Sequence, residues 1–173
     1  MWTFRTKEDD MATTGDCVLV VDSPIGRLTL TAEDRALIAI DFGAPAGYAD
    51  GVPSAHPVLA ETARQLEAYF AGQLRAFDLP LRPSGTPFQL GVWRALGDIP
   101  YGETVSYGEL AVRIGRPTAA RAVGRASGRN PIAVVVPCHR VVGVDGALTG
   151  YAGGLKRKAD LLAIEWSHRE DGR

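Results

Sequence analysis

The sequence predicts an α+β protein whose first half is built on an antiparallel sheet and whose second half is helical. Three observations predict it: short apolar runs within residues 17–42 joined by turn chemistry, a Pro/Gly punctuation at residues 82–85, and two matching helix-start signatures after it. At 173 residues, 46% apolar and 23% charged, the chain can bury one substantial core or two small ones. No apolar run reaches the ~18 residues of a membrane span, and residues 1–15 lack the apolar centre of a secretory signal. No membrane partner is expected, and the expected location is cytoplasmic. The two cysteines, Cys17 and Cys138, are then expected as free thiols, and three scattered histidines offer no zinc-ligand spacing, so no metal and no cofactor are expected.

Residues 17–22, 27–33 and 36–42 read as strands, joined by Ser23-Pro24-Ile25-Gly26 and Glu33-Asp34-Arg35 at spacings that suit an antiparallel meander. Cys17 opens the first of them as a small core residue. Residues 43–54, polar and small, read as a loop. Pro57 suits the first turn of a helix with apolar positions at Val58, Leu59, Ala63, Leu66, Tyr69 and Phe70, stopped by Gly72. Residues 77–81 predict a further strand, and Arg82-Pro83-Ser84-Gly85 marks the domain boundary.

The helical half starts with a capping box, Thr86 with Gln89, with Pro87 at the first helical position and Phe88, Val92 and Leu96 on one face. Ile99-Pro100-Tyr101-Gly102 ends that helix. A second box, Ser106 with Glu109, opens a short helix through Ile114, and Gly115-Arg116-Pro117 turns into a third helix from Thr118 to about Gly128. Helix, short Gly-containing turn, helix is the outline of a helix-turn-helix that sets its second helix in a DNA groove; it is also the outline of plain packing units.

Charge weighs on that choice. Between Val105 and Arg140 six arginines (113, 116, 121, 125, 129, 140) face one acid, Glu109, so this window carries +5 while the whole chain carries −1. Such a cluster is either a solvated helix face or a nucleic-acid contact. Arg121, Arg125 and Arg129 are four apart and form one stripe if the helix persists, while Thr118, Ala119 and Ala120 are small enough to let the backbone approach DNA closely. A cationic stripe on small residues suits phosphate neutralisation, so duplex DNA is the expected partner.

Residues 132–136, Ile-Ala-Val-Val-Val, read as a buried strand entered through the helix-breaking Asn130-Pro131. Pro137 would end its ladder and turn Cys138 outward. A structural cysteine would fit better inside the valine run, so the position favours a reactive thiol over a core one. The thiolate is the nucleophile, and a neighbouring imidazole or positive potential lowers a thiol pKa. Adjacent residues of an extended chain point opposite ways, so His139 reaches Cys138 only through a turn or a bridging water, and a carboxylate is then needed to orient the imidazole.

Pro137-Cys138-His139-Arg140-Val141, preceded by Asn130-Pro131 and Arg121-Ala122-Val123-Gly124, and followed by Gly150-Tyr151-Ala152-Gly153-Gly154 and Leu161-Leu162-Ala163-Ile164-Glu165, closely resembles the O6-alkylguanine-DNA alkyltransferases. The likeness runs from about Asp22 to Glu165 and is dense from Phe88 onward. It implies a ribonuclease H-like N-terminal domain carrying the antiparallel sheet and a helical, winged-helix-like C-terminal DNA-binding domain. The domain plan is then a flexible lead at 1–15, a supporting domain at 16–85, an alkyltransferase domain at 86–168 and a tail at 169–173.

The resemblance further implies a single-turnover methylated-DNA–protein-cysteine methyltransferase, a monomer with cooperativity on DNA, acting on duplexes that contain O6-alkylguanine and O4-alkylthymine. Cys138 would be both nucleophile and final acceptor, His139 the water-linked base, Glu165 the carboxylate that fixes the imidazole, and Asn130 the residue that shapes the active-site turn. Tyr107 would help rotate the nucleotide and donate a hydrogen bond to the base, and Arg121 would fill the space the flipped nucleotide leaves, in keeping with the need to extrude a base before attacking it. Val141, Tyr151 and Ala152 would line the pocket, Ala152 offering only its backbone N–H where some relatives have a serine hydroxyl. A non-catalytic alkylated-DNA recognition module is the alternative; proteins of that kind replace the cysteine present here.

Overall fold

The computed structural model describes residues 17–45 and 56–169. The lead expected at 1–15, most of the loop expected at 43–54 and the tail after residue 169 lie outside the described residues. The chain divides into two compact units between Ser84 and Gly85.

In the first unit β1 (Cys17–Val21), β2 (Leu28–Glu33) and β3 (Ala36–Phe42) form an antiparallel sheet in chain order, with Leu19 opposite Leu30 and Leu30 opposite Ile40. Gly26, at φ 100°, closes the first turn by donating its N–H to Ser23 O at 3.0 Å, and Asp34, at φ 54°, makes the second. Helix α1 (Pro57–Phe70) has Pro57 in its first turn, where a missing N–H costs nothing, and packs the buried Leu59, Leu66 and Tyr69 on the sheet side.

Residues 77–81 do not add the expected strand. They make one parallel bridge, Leu37 with Leu81, in which Leu37 N–H donates to Pro80 O at 2.8 Å and Arg82 N–H to Leu37 O at 2.9 Å. Pro80 has no N–H to give a ladder, and the Gln65 side chain takes both backbone groups of Asp78, each at 2.8 Å, that a neighbouring strand would otherwise have used.

The second unit contains α2 (Pro87–Gly97), β4 (Val105–Ser106), α3 (Tyr107–Arg113), α4 (Ala120–Ser127), β5 (Val141–Val142) and α5 (Leu155–Ser167). Both capping boxes form, Thr86 with Gln89 and Ser106 with Glu109. Helix α2 buries Val92, Trp93 and Leu96, and Trp93 Nε1 donates to Ala126 O at 2.9 Å, fastening α2 to the end of α4. Gly115, at φ 70°, ends α3 in a Schellman arrangement: its own N–H reaches Val112 O and that of Arg116 reaches Ala111 O. The parallel pair β4–β5 sets Val105 beside Val141 and so brings the start of α3 against the segment after Cys138.

Three expectations are corrected here. The helix after the turn starts at Ala120, because Ala119 N–H closes onto Arg116 O and leaves Thr118 and Ala119 in the turn. It ends at Ser127, so Arg129 lies beyond it and the stripe keeps only Arg121 and Arg125. Residues 132–136 are buried but are not a strand: Val136 N–H folds back to Ile132 O at 2.9 Å, and Val134 sits at φ 71°, strained for a β-branched residue.

Candidate active site

The buried turn is shaped by one side chain. Asn130 stands just past α4, where its Oδ1 accepts the Ile132 N–H at 3.1 Å and its Nδ2 donates to Val136 O at 2.7 Å. The same amide reaches Cys138 Sγ at 3.2 Å. Entry and exit of the loop are thus tied to the residue that touches the thiol. Cys138 then opens a 3-10 turn, Cys138–Arg140, and it does not point outward as expected: it is only 5% exposed. With no ladder for Pro137 to end, the proline passes the chain from one buried turn into the next.

The second turn carries His139 and Arg140 to α5. His139 Nε2 lies 2.8 Å from Glu165 Oε1, both side chains fully buried. Glu165 also accepts the Gly102 N–H at 2.9 Å and Arg140 Nη2 at 2.8 Å, with Arg140 Nε at about the same reach of both carboxylate oxygens. Arg140 Nη1 donates to Ile99 O at 2.6 Å, and its guanidinium lies over the Tyr101 ring. Burial by itself raises the Glu165 carboxyl, but hydrogen bonds and charge from His139 and Arg140 outweigh it and hold the group well below the usual carboxylate range. An ionised Glu165 only accepts, so His139 Nε2 carries the proton and Nδ1 is the nitrogen able to take another. Burial, aided by the charges of Arg140 and Lys158, keeps that imidazole neutral against the pull of Glu165. Burial likewise pushes the Cys138 thiol up, opposed by the Asn130 hydrogen bond and the Lys158 charge.

Tyr107, at the start of α3, donates its hydroxyl to Thr149 O at 3.0 Å. Its ring packs along Gly124 of α4, where a Cβ would lie 3.5 Å from it, in ordinary van der Waals contact. Burial raises the phenol, as it does that of Tyr151, whose side chain is largely enclosed. Val141 is fully buried in β5, and Ala152 is exposed. Thr118, Arg121, Arg125 and Arg129 are all exposed, and Ala119 and Ala120 half-buried, on and around α4. The structure therefore joins Asn130, Cys138, His139 and Glu165 in one cluster, with Tyr107 tied to the loop at Thr149. Among the described residues no cluster of His, Cys, Asp and Glu could hold a metal ion.

Residues 87–167 match the family described as 6-O-methylguanine DNA methyltransferase, DNA binding domain, and residues 19–83 match its ribonuclease-like domain. The methylated-DNA–protein-cysteine methyltransferase of Methanosarcina barkeri is 50% identical over 84% of this chain and 94% of its own length. The chain belongs to this family. A Mycolicibacterium paratuberculosis member is 54% identical over 86% of the chain and 91% of its own length. The crystal structure of Mycobacterium tuberculosis O6-methylguanine methyltransferase superposes with a TM-score of 0.80 at 46% identity, covering 91% of this chain and 97% of that one. The M. tuberculosis OGT solved in complex with DNA gives 0.79 at 47% identity, over 89% and 95%.

Two members of the site escape a reading of motifs. Arg140 was visible as a charge beside the thiol, but only the fold shows that it is buried on Glu165. Lys158 left a signal in periodicity: it shares one face of α5 with Leu161, Leu162 and Glu165, a core position that a lysine rarely takes.

Proposed function

We propose that this alkyltransferase-family protein repairs O6-alkylguanine in duplex DNA by moving the alkyl group to its own Cys138 once. The observation that carries the proposal is the fully buried His139–Glu165 pair beside a buried thiol. In the reaction the thiol proton passes to His139 Nδ1, directly or through a water, and the sulfur electron pair forms an S–C bond to the alkyl carbon. The C–O6 bond breaks with its electron pair left on guanine. Tyr107, whose hydroxyl rests on Thr149 O, redirects that hydrogen bond to the base. The guanine anion takes a proton from water while His139 returns its own, so thiol plus alkylguanine become thioether plus guanine.

No step regenerates the thiol, hence one turnover per chain. Arg121 enters the stack and fills the gap left by the extruded nucleotide, and Arg125 contacts phosphate. The test is stoichiometry: with excess O6-methylguanine duplex, the intact mass should rise by one methyl per chain and stop, while the DNA shows one restored guanine per methyl. Tight binding with no change of mass would make the protein a recognition module instead.

A further inference from the structure

Three lysines and arginines are buried among the described residues: Arg82, Arg140 and Lys158. The two arginines face carboxylates, Arg82 with Glu33 and Asp34, Arg140 with Glu165. Lys158 does not. Among the described residues no carboxylate lies within ion-pair distance of it; its ammonium donates to the main-chain oxygens of Val141 and Thr149, and lies 5.9 Å from the centre of the Tyr107 ring. A buried cation satisfied only by carbonyls and a ring face carries a desolvation cost that an apolar residue on the same face of α5 would not. The Val141 oxygen it holds belongs to the residue whose own N–H reaches Cys138 O, so the ammonium is tied directly to the turn that carries the thiol.

We propose that Lys158 is the built-in counter-charge of the Cys138 thiolate, a cation held without a carboxylate in the resting protein and paired only when the thiol ionises. The inference rests on the alkyl-transfer reading and names a positioning residue for it. Lys158 spans β5 and the loop at Thr149, the same carbonyl that holds the Tyr107 hydroxyl, so its charge is fixed relative to both the thiol and the phenol.

The charge interactions agree with the geometry. Burial pushes Lys158 down to about 8, and the one charged group that pulls it back up is Cys138. In return Lys158 is the principal charge drawing the thiol down against its burial. The other ionisable groups around the pair are His139, Tyr107 and Tyr151. Lys158 disfavours a proton on His139, and the two phenols are held neutral by burial. The Arg140–Glu165 pair, which bears on His139, cancels its own charge. Lys158 thus stabilises the thiolate and at the same time discourages the thiol proton from staying on the imidazole, which favours its passage to water.

The test compares Lys158→Met, which removes charge and donors, with Lys158→Gln, which keeps amide donors for the two carbonyls and removes only charge. Thiol ionisation is read from thiolate ultraviolet absorbance against pH, with Lys156→Met as the exposed control. Both Lys158 variants should raise the ionisation midpoint by about one unit or more, and so lower alkylation at a fixed pH below it about tenfold. Their thermal midpoints should equal or exceed that of the wild type, because a lone buried charge has gone. Lys156→Met should change neither. An unchanged ionisation midpoint in either variant overturns the proposal and leaves Lys158 a structural tie; so does failure of both to fold, since the charge is then needed for stability. A wild-type protein that ionises normally but transfers no methyl would overturn the alkyl-transfer reading instead, which keeps the two failures distinct.

Discussion

Cys17-Val-Leu-Val-Val and Ile132-Ala-Val-Val-Val are nearly the same string, yet the first is strand β1 and the second a buried turn. Both runs are apolar, but β1 buries only Leu19 and Val20 while all five residues of the second run are buried, so the deeper burial did not make a strand. What differs is where the backbone groups go. Behind Val21 the turn at 23–26 brings β2 back to pair with every residue of β1. Around the second run Pro131 and Pro137 have no N–H, and the Asn130 amide takes the Ile132 N–H and the Val136 carbonyl before any strand can. The two cysteines inherit the difference. Cys17 is half-exposed at a strand end, whereas Cys138 is buried under the amide that shapes its own loop. A cavity does not mark the chemistry either: one of about 600 Å³ lies in the N-terminal unit between the β1–β2 turn and α1.

The comparison breaks most sharply by substitution of the two thiols. Cys138→Ala should abolish methyl transfer while duplex binding persists, and Cys17→Ala should leave the rate near that of the wild type. Transfer by Cys138→Ala at any appreciable rate would mean that the turn does not set the acceptor.

The relay comes next. Glu165→Gln removes the anion that His139 and Arg140 share, so transfer should slow by about 10²-fold or more, and the uncompensated Arg140 should cost about 3–5 kcal/mol of stability. An unchanged pH–rate profile would take Glu165 out of the mechanism. The same carboxylate sharpens acid behaviour. Its folded pKa is depressed, so its contribution is present above the ~4.3 of an unfolded glutamate and is lost as pH falls through the folded value. His139 is held neutral, so stability also falls as pH drops below the ~6.5 at which an unfolded imidazole protonates. Thermal melts against pH should show both losses in the wild type; a flat profile from neutrality to pH ~3 would contradict the buried network.

Smaller effects belong to α4. Arg121→Ala should slow repair of duplex DNA strongly while reaction with free O6-benzylguanine stays near normal, because a free base needs no extrusion. Equal losses on both substrates would make Arg121 a pocket residue. Arg125→Ala should mainly weaken binding and reduce its salt slope by about one unit; Arg129→Ala, beyond the helix end, tests whether phosphate contact needs the stripe at all.

Legibility in the sequence followed locality. The meander, Pro57, both capping boxes and the Gly115 stop are local chemistry, and each formed where its residues stand. Residues 77–81 and 132–136 failed for one reason: an apolar run specifies burial, and its conformation depended on side-chain amides, Gln65 and Asn130, up to 13 residues away. The exposed arginines and the thiol were readable as types. That Arg140 belongs to Glu165 across 25 residues, and that Lys158 meets main-chain carbonyls and, among the described residues, no carboxylate, required the fold.

The most direct measurement is peptide mapping of the wild-type protein after reaction with O6-methylguanine duplex. The account predicts one methyl, carried as a thioether on Cys138, with Cys17 unmodified. Methyl on Cys17, or divided between the two cysteines, would contradict it.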